Sequence, residues 1–175
     1  TTVLTANNPY SGTTTASAGT LAIGNAASPG AALSGGGAVS VASGATIGGY
    51  GRVAGSVSNS GRIAVADAVS AFAGGAKGNF TIGGTLSNAG LAQVGGSGTG
   101  NALTVSNYVG QGGIVALNTF LGTDGSPSDK LVIDGGAASG ASRLAITNTG
   151  GPGATTTGNG ILVVDGINSA TTSAG

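Results

Sequence analysis

The sequence contains no cysteine, histidine, methionine, tryptophan or glutamate, and aromatic residues make up only 3% of its 175 positions. Without His or Cys there is no Ser-His-Asp triad, no Cys-His nucleophile pair and no ordinary zinc site. Charge is almost as scarce: five Lys and Arg balance five Asp, for a formal net charge of +0. That leaves no basic footprint for nucleic acid and no acidic tail. Proline occurs four times and glycine does not recur at every third position, which excludes a collagen helix. Apolar runs are about four residues long, far short of the ~18 needed for a membrane helix. No basic segment followed by an apolar one opens the chain, and Thr1 falls within a repeat-like stretch, as in a piece of a longer protein. These absences leave a structural or interaction protein as the expectation, with no catalytic residue, cofactor or metal.

What is present is glycine: 38 of 175 residues, about 22% against a usual ~7%. Gly-rich chains are often disordered, but such chains combine few apolar residues with high net charge. Here the mean hydropathy is +0.33 and the net charge zero. Glycine interrupts nearly every ten-residue window, at about 1 kcal/mol per helical position relative to Ala, so helices are disfavoured. Short alternating pieces recur instead: Thr20–Ile23, Ala38–Val41, Arg62–Val65, Phe80–Ile82, Leu103–Val105, Ile114–Leu117, Lys130–Ile133, Arg143–Ile146 and Ile161–Val164. Most read apolar-x-apolar, the period of a strand with one buried face. Gly, Asn, Asp or Ser follows most of them, which is turn chemistry.

These pieces repeat. Gly55–Val65 aligns with Gly84–Val94 in an unbroken frame. Val105–Ile114 reads as a looser third copy, closer behind the second than the second is behind the first. Leu21, Val39 and Val57 are evenly spaced, and the step from Ile82 to Val105 is only slightly longer. A drifting period near ~20, with two or three short strands per unit, is the signature of a solenoid. Each unit is too short to bury its own apolar stripe. Stacking units in register pairs every strand with those above and below and merges the stripes into one core. The expectation is an all-β parallel β-helix, with an antiparallel sandwich and a collapsed coil as rivals. Residues 64–79 are too long for one corner and read as an excursion loop, with Val65, Val69 and Phe72 spaced for a helical turn. Residues 122–130 read as an exposed turn.

Few residues carry chemistry. Asp124, Asp129, Lys130, Asp134 and Arg143 form the one polar cluster. A Ca²⁺ site or a glycan-cleaving carboxylate pair stands there against plain turn residues, and the turn reading is preferred. Gly95–Gly100 lacks the Asp of a Ca²⁺-binding nonapeptide, and Gly110–Gly113 lacks the Lys and the helix of a phosphate loop. Tyr50 and Tyr108 could stack on sugars but read first as packing at coil ends. Thr13–Thr15 and Thr155–Thr157 do not recur once per coil as an ice-binding array would, and Asn79-Phe80-Thr81 matches a glycosylation sequon.

Two stretches carry a family resemblance. Leu4–Gly24, with its Asn-Asn-Pro-Tyr-Ser-Gly, Thr run and Gly-Thr-Leu, resembles the passenger-associated transport repeat of autotransporters. Tyr108–Gly136, followed by Gly140, Leu144–Asn148, Gly150–Ala154 and Thr157–Val164, is similar to the pertactin-like C-terminal passenger region called the autochaperone. The resemblance implies a type V secretion passenger: a right-handed parallel β-helix on the surface of a Gram-negative bacterium, with a hairpin-like cap as one way of closing its C-terminal end. The absence of cysteine suits a chain that crosses a narrow pore unfolded. The implied organisation is residues 1–107 as β-helix coils and 108–175 as the autochaperone-like end. The implied partner is the protein's own C-terminal β-barrel translocator, which this stretch does not contain. Host-cell or bacterial surface components are further candidate partners, and nucleic acid is not.

The implied mechanism is templating. A solenoid coil gains most of its stability from its neighbour, so the first coil to fold needs help and later coils add to its edge. Burying two or three Val, Leu or Ile side chains at ~1.5–3 kcal/mol each, less the ordering cost, yields a few kcal/mol per coil. The residues expected to carry this are Ile114, Leu117, Leu121, Leu131, Ile133, Leu144, Ile146, Ile161 and Val163. Two other functions stay open from the sequence: an adhesin module binding through its outer faces, and a glycan-active β-helix enzyme.

Overall fold

In the computed structural model, which describes residues 1–172, the short alternating segments stack as rungs of a three-sided parallel solenoid. The first face is built from Thr2–Leu4, Gly19–Ile23, Ala45–Gly49, Arg62–Val65, Leu91–Gln93 and the later halves of Ala102–Thr119 and Ala137–Asn148. The second contains Asn7–Asn8, Ala32–Leu33, Arg52–Val53, the start of Asn79–Asn88, the start of Ala102–Thr119, Lys130–Asp134 and Val164–Ile167. The third contains Thr14–Ala16, Val39–Val41, Val57–Asn59, the end of Asn79–Asn88, the middle of Ala102–Thr119, the start of Ala137–Asn148 and Thr171–Thr172. Every one of these rungs pairs in parallel. Among the described residues the antiparallel contact is an isolated bridge between Thr119 and Ser128.

Alternation explains the rungs. Val39 and Val41 are buried with Ser40 exposed between them, and Leu131 and Ile133 are buried while Lys130, Val132 and Asp134 are only partly covered. In-register pairing places inward residues one above another. On the first face Leu21, Ile47, Ile63, Ala92, Val115 and Leu144 form one column. On the second, Leu33, Val53, Ile82, Val105 and Ile133 form another. The columns meet in a continuous apolar core running from Ala16 and Ile23 through Phe80 and Ile82 to Leu131 and Ile133.

The unbroken alignment of Gly55–Val65 with Gly84–Val94 is a true coil repeat: Val57 pairs with Leu86 and Ile63 with Ala92. The Val39–Val57 and Ile82–Val105 steps also join paired rungs. The other two spacings do not. Leu21 pairs with Ile47 on the first face, while Val39 belongs to the third. Leu86 pairs with Tyr108, not Val105, so the Ser-Asn dipeptides that suggest the third copy sit at different heights of the coil. Nor is the period close to constant. Ile47 pairs with Ile63 after a tight circuit, whereas Ile63 pairs with Ala92 only after the long excursion loop. Pairing constrains the rungs alone, so corners can vary in length.

Corners use glycine where the path demands it. Gly49 lies at φ 120° facing the Ile23 carbonyl, and Gly140 lies at φ 72° facing the Gly110 carbonyl, so a side chain at either would be strained and crowded. Between Val65 and Asn79 the chain leaves the solenoid through two 3₁₀ turns, Ala66–Ala68 and Ser70–Phe72. Phe72 packs its ring against Tyr50 at 5.7 Å. The boundary expected between residues 107 and 108 falls inside the continuous strand Ala102–Thr119. Residues 173–175 of the expected C-terminal unit lie outside the described residues.

Candidate functional site

The nine residues expected to carry folding occupy three environments. Leu117, Leu131 and Ile133 are buried in the core. Ile114, Ile161 and Val163 are half-buried. Leu121, Leu144 and Ile146 are exposed, at 37%, 45% and 43%. Leu144 and Ile146 nevertheless point inward: they pair with Val115 and Leu117, which are fully or almost fully buried one rung earlier. What differs is the neighbour. Val115 has a rung on each side, Leu91–Gln93 and residues 143–148, whereas among the described residues no rung of the first face follows residues 143–148. Among the described residues the last rungs therefore leave a shallow apolar hollow of ≈ 170 Å³ bordered by Leu131, Leu144, Val164 and Thr172.

Behind these rungs, two polar devices fix the stacking. The corner between the third and first faces holds a ladder that is buried from Asn59 to Tyr108 and ends at the exposed Ser142. Asn59 Nδ2 donates to Asn88 Oδ1 at 2.8 Å, Asn88 Nδ2 donates to Tyr108 Oη at 3.1 Å, and Tyr108 Oη shares a 2.8 Å hydrogen bond with Ser142 Oγ. Asn59 and Asn88 are paired residues of successive rungs, so the ladder ties four coils in one register. A buried amide left without its partner costs about 1–3 kcal/mol, so a slipped register is penalised at each step.

The second device centres on Asn101. Its Nδ2 donates to Asp67 Oδ1 at 2.7 Å, its backbone N–H donates to Asp129 Oδ1 at 2.8 Å, and its Oδ1 accepts the Gly78 N–H at 3.0 Å. Asp67 Oδ2 also accepts Lys77 Nζ at 2.5 Å and the Ser97 N–H and hydroxyl at 2.8 and 2.6 Å. Asp129 Oδ2 accepts the Asn118 N–H at 2.8 Å. The network fastens the excursion loop to the solenoid wall and to the turn that ends at Asp129. Burial works against the Asp67 charge, yet the hydrogen bonds from Asn101, Lys77 and Ser97 outweigh it and hold the carboxyl well below the usual range. Burial dominates at Asp129 and pushes its carboxyl up, only partly offset by the Asn118, Asn101 and Gly100 N–H groups. Nothing in the sequence marks this site, because Asp67, Asn101 and Asp129 lie on different coils, far apart in the chain, and share no motif.

The polar cluster read from the sequence is dispersed. Asp129 is buried, Asp124 accepts the N–H groups of Thr157, Gly158 and Gly160, Asp134 accepts from Asn168 Nδ2, and Lys130 faces Asp165 at 3.4 Å. Each carboxylate has its own structural partner, in keeping with the turn reading. Among the described residues no three acidic side chains converge on a cation-sized space. Tyr108 is a buried ladder member, not a sugar-stacking surface.

Comparison with known proteins agrees with this architecture. Residues 85–175 match the family model Autochaperone Domain Type 1. The chain is 42% identical over 85 residues, 47% of its length, to a protein of Escherichia coli K12 named Uncharacterized protein YuaQ. It is 45% identical over 73 residues, 41% of its length, to Uncharacterized protein YdeU of the same organism. It is 38% identical over 77 residues, 44% of its length, to a protein of Brucella suis biovar 1 named Adhesin BmaC autotransporter. The chain spans 6%, 15% and 2% of the lengths of these three relatives. The family model covers the rungs from Thr85 onward, more than half of the sequence, and the chain belongs to the Autochaperone Domain Type 1 family.

Proposed function

We propose that this chain, a segment of an autotransporter passenger, templates passenger folding at the bacterial surface, with a structural rather than a catalytic role. The observation that carries the proposal is the inward column Val115–Leu144: Val115, with a paired rung on each side, is 0% exposed, and Leu144, with a paired rung on one side, is 45% exposed. A chain built this way adds stability coil by coil, so a folded C-terminal rung offers a paired edge and an apolar platform to the segment that follows it out of the membrane. The Asn59–Asn88–Tyr108–Ser142 ladder supports the same reading, because it rewards the correct register as each coil is laid down. The partner is the protein's own C-terminal translocator, and the location is the outer membrane or cell surface of a Gram-negative bacterium.

The test is surface display of the full-length protein. Ile133→Asp places a charge in a side-chain position that is 1% exposed. It is expected to reduce surface passenger, measured by protease accessibility on intact cells, while Val132→Asp on the outward side of the same rung leaves display near wild type. Equal display of both variants would contradict templating.

A second reading is adhesion through the outer faces. It is favoured by similarity to a relative named as an adhesin and by a groove on the second face, described next.

A further inference from the structure

Near the N-terminal end the second face is not a bare wall. Asn7, Ala32, Arg52 and Thr81 are paired residues of four successive rungs and point outward in one line. At ~4.8 Å per rung this line is about 14 Å long. It lines an open groove of ≈ 720 Å³ together with Ala26, Pro29 and Gly30, which precede one second-face rung, and Ala76, Lys77 and Gly78, which precede another.

Hydrogen bonds hold both segments in place. Tyr50 Oη donates to the Ala76 carbonyl at 2.6 Å, and Lys77 is held by Asp67 and Ser97. The Ala27 N–H donates to Asn25 Oδ1 at 3.0 Å, and the Ser28 N–H donates to the Asn25 carbonyl at 2.9 Å. On the second face, Asn79 Nδ2 donates to Thr81 Oγ1 at 3.0 Å. Arg52 is different. It is exposed, and among the described residues its guanidinium has no hydrogen bond and no ion pair. None of the five Asp lines the groove.

We propose that this groove binds an anionic oligosaccharide, one bearing carboxylate or sulfate groups, with Arg52 as the anion contact. The polar lining of Asn7, Ser34, Asn79 and Thr81 supplies groups that both donate and accept, which is what sugar hydroxyls require. The guanidinium fork matches a carboxylate or sulfate, and prior fixing of these segments reduces the ordering cost of binding. An extended peptide fits less well, because it needs a free strand edge, and the backbone here is already paired from rung to rung. Nucleic acid needs many cations in a row, and among the described residues the groove is lined by Arg52 and by Lys77, which is already paired with Asp67.

The proposal deepens the surface-binding reading by naming its site and ligand chemistry. The experiment is calorimetric titration of this chain with a heparin-derived oligosaccharide, a polygalacturonate oligosaccharide and a neutral dextran oligosaccharide at low salt. Binding is expected for at least one anionic probe, weakening with added salt, and not for dextran. Preference for heparin identifies sulfate as the group recognised, and preference for polygalacturonate identifies carboxylate. Arg52→Ala is expected to weaken binding about tenfold or more, the scale of one lost charge-assisted contact. Arg143→Ala, on the first face and outside the groove, is expected to bind like wild type, with circular dichroism confirming that both variants fold. No binding of either anionic probe, an unchanged Arg52→Ala affinity, or an equal loss in Arg143→Ala would overturn the proposal. Adherence of displaying cells that persists in Arg52→Ala would overturn the groove as the adhesive site and leave outer-face adhesion standing.

Discussion

Asp67 and Asp129 are the same residue type, both buried, bridged by Asn101, and shifted in opposite directions. The difference is the donor set: Asp67 accepts an ammonium, an amide and two groups of Ser97, whereas Asp129 accepts only backbone N–H groups. For Asp67 the folded value lies below the unfolded one. Its contribution is present above the unfolded range near ~4 and is lost as pH falls through the folded value. For Asp129 the folded value lies above, so its contribution is full below that same range and is lost as pH rises through the folded value. Asp67→Asn is therefore expected to cost about 1–3 kcal/mol at neutral pH. The gap to wild type should narrow on acidification. Urea unfolding of both proteins at pH 7 and pH 3 measures this, and a gap independent of pH would contradict the assigned charge state. Neither carboxylate is distinguishable in the sequence, where Asp67 reads as part of a loop and Asp129 as part of an exposed turn. Their partners arrive from other coils, and only stacking brings them within reach.

A rung is worth what its neighbours cover. Leu117 and Ile146 are paired inward residues of one column, yet Leu117 is 1% exposed and Ile146 43%. Leu117→Ala removes a side chain enclosed on all sides and is expected to cost about 2–5 kcal/mol. Ile146→Ala removes one still in contact with water and should cost less than half as much. Thermal melts of the two variants compare them directly, and equal losses would mean that the last rung is covered in solution. The rungs themselves were legible. Alternation in Arg62–Val65, Leu103–Val105 and Lys130–Ile133 marked strands, and the unbroken alignment of Gly55–Val65 with Gly84–Val94 matched the pairing of Val57 with Leu86. The third copy failed because a Ser-Asn dipeptide has no fixed height in a coil, whereas an inward apolar residue has. Ile114 and Val115 illustrate the same limit. Both are β-branched and adjacent, and only pairing showed that Val115 faces the core and Ile114 lies half-buried outside it.

Over the whole molecule, burial is complete in the middle and fades toward both ends. Among inward residues, Ile47, Ile63, Ile82 and Leu103 are 0% exposed, while Leu4 and Val164 are only half-buried and Leu144 is 45% exposed. A structure whose parts touch only their neighbours opens from its ends. Amide hydrogen exchange of this chain is expected to be slowest at Ile63, Ile82 and Leu103 and fastest in Thr2–Leu4 and Val164–Ile167. Uniform protection along the chain would show instead that the solenoid opens as a single unit.

The amino-acid sequence determined that this chain would be a parallel β-solenoid. Its apolar residues come in period-2 runs too short to bury themselves, glycine forbids long helices, and the runs repeat at a coil's spacing. Tertiary structure decided which inward residues are enclosed between two rungs and which have a rung on one side only among the described residues. It also decided that Asp67, Asn101 and Asp129 share one network and that Arg52, with no hydrogen bond or ion pair among the described residues, lines a groove. The physical reason is that alternation fixes only which way a side chain points. What it meets there depends on the coils above and below, and on corners whose lengths no periodicity constrains.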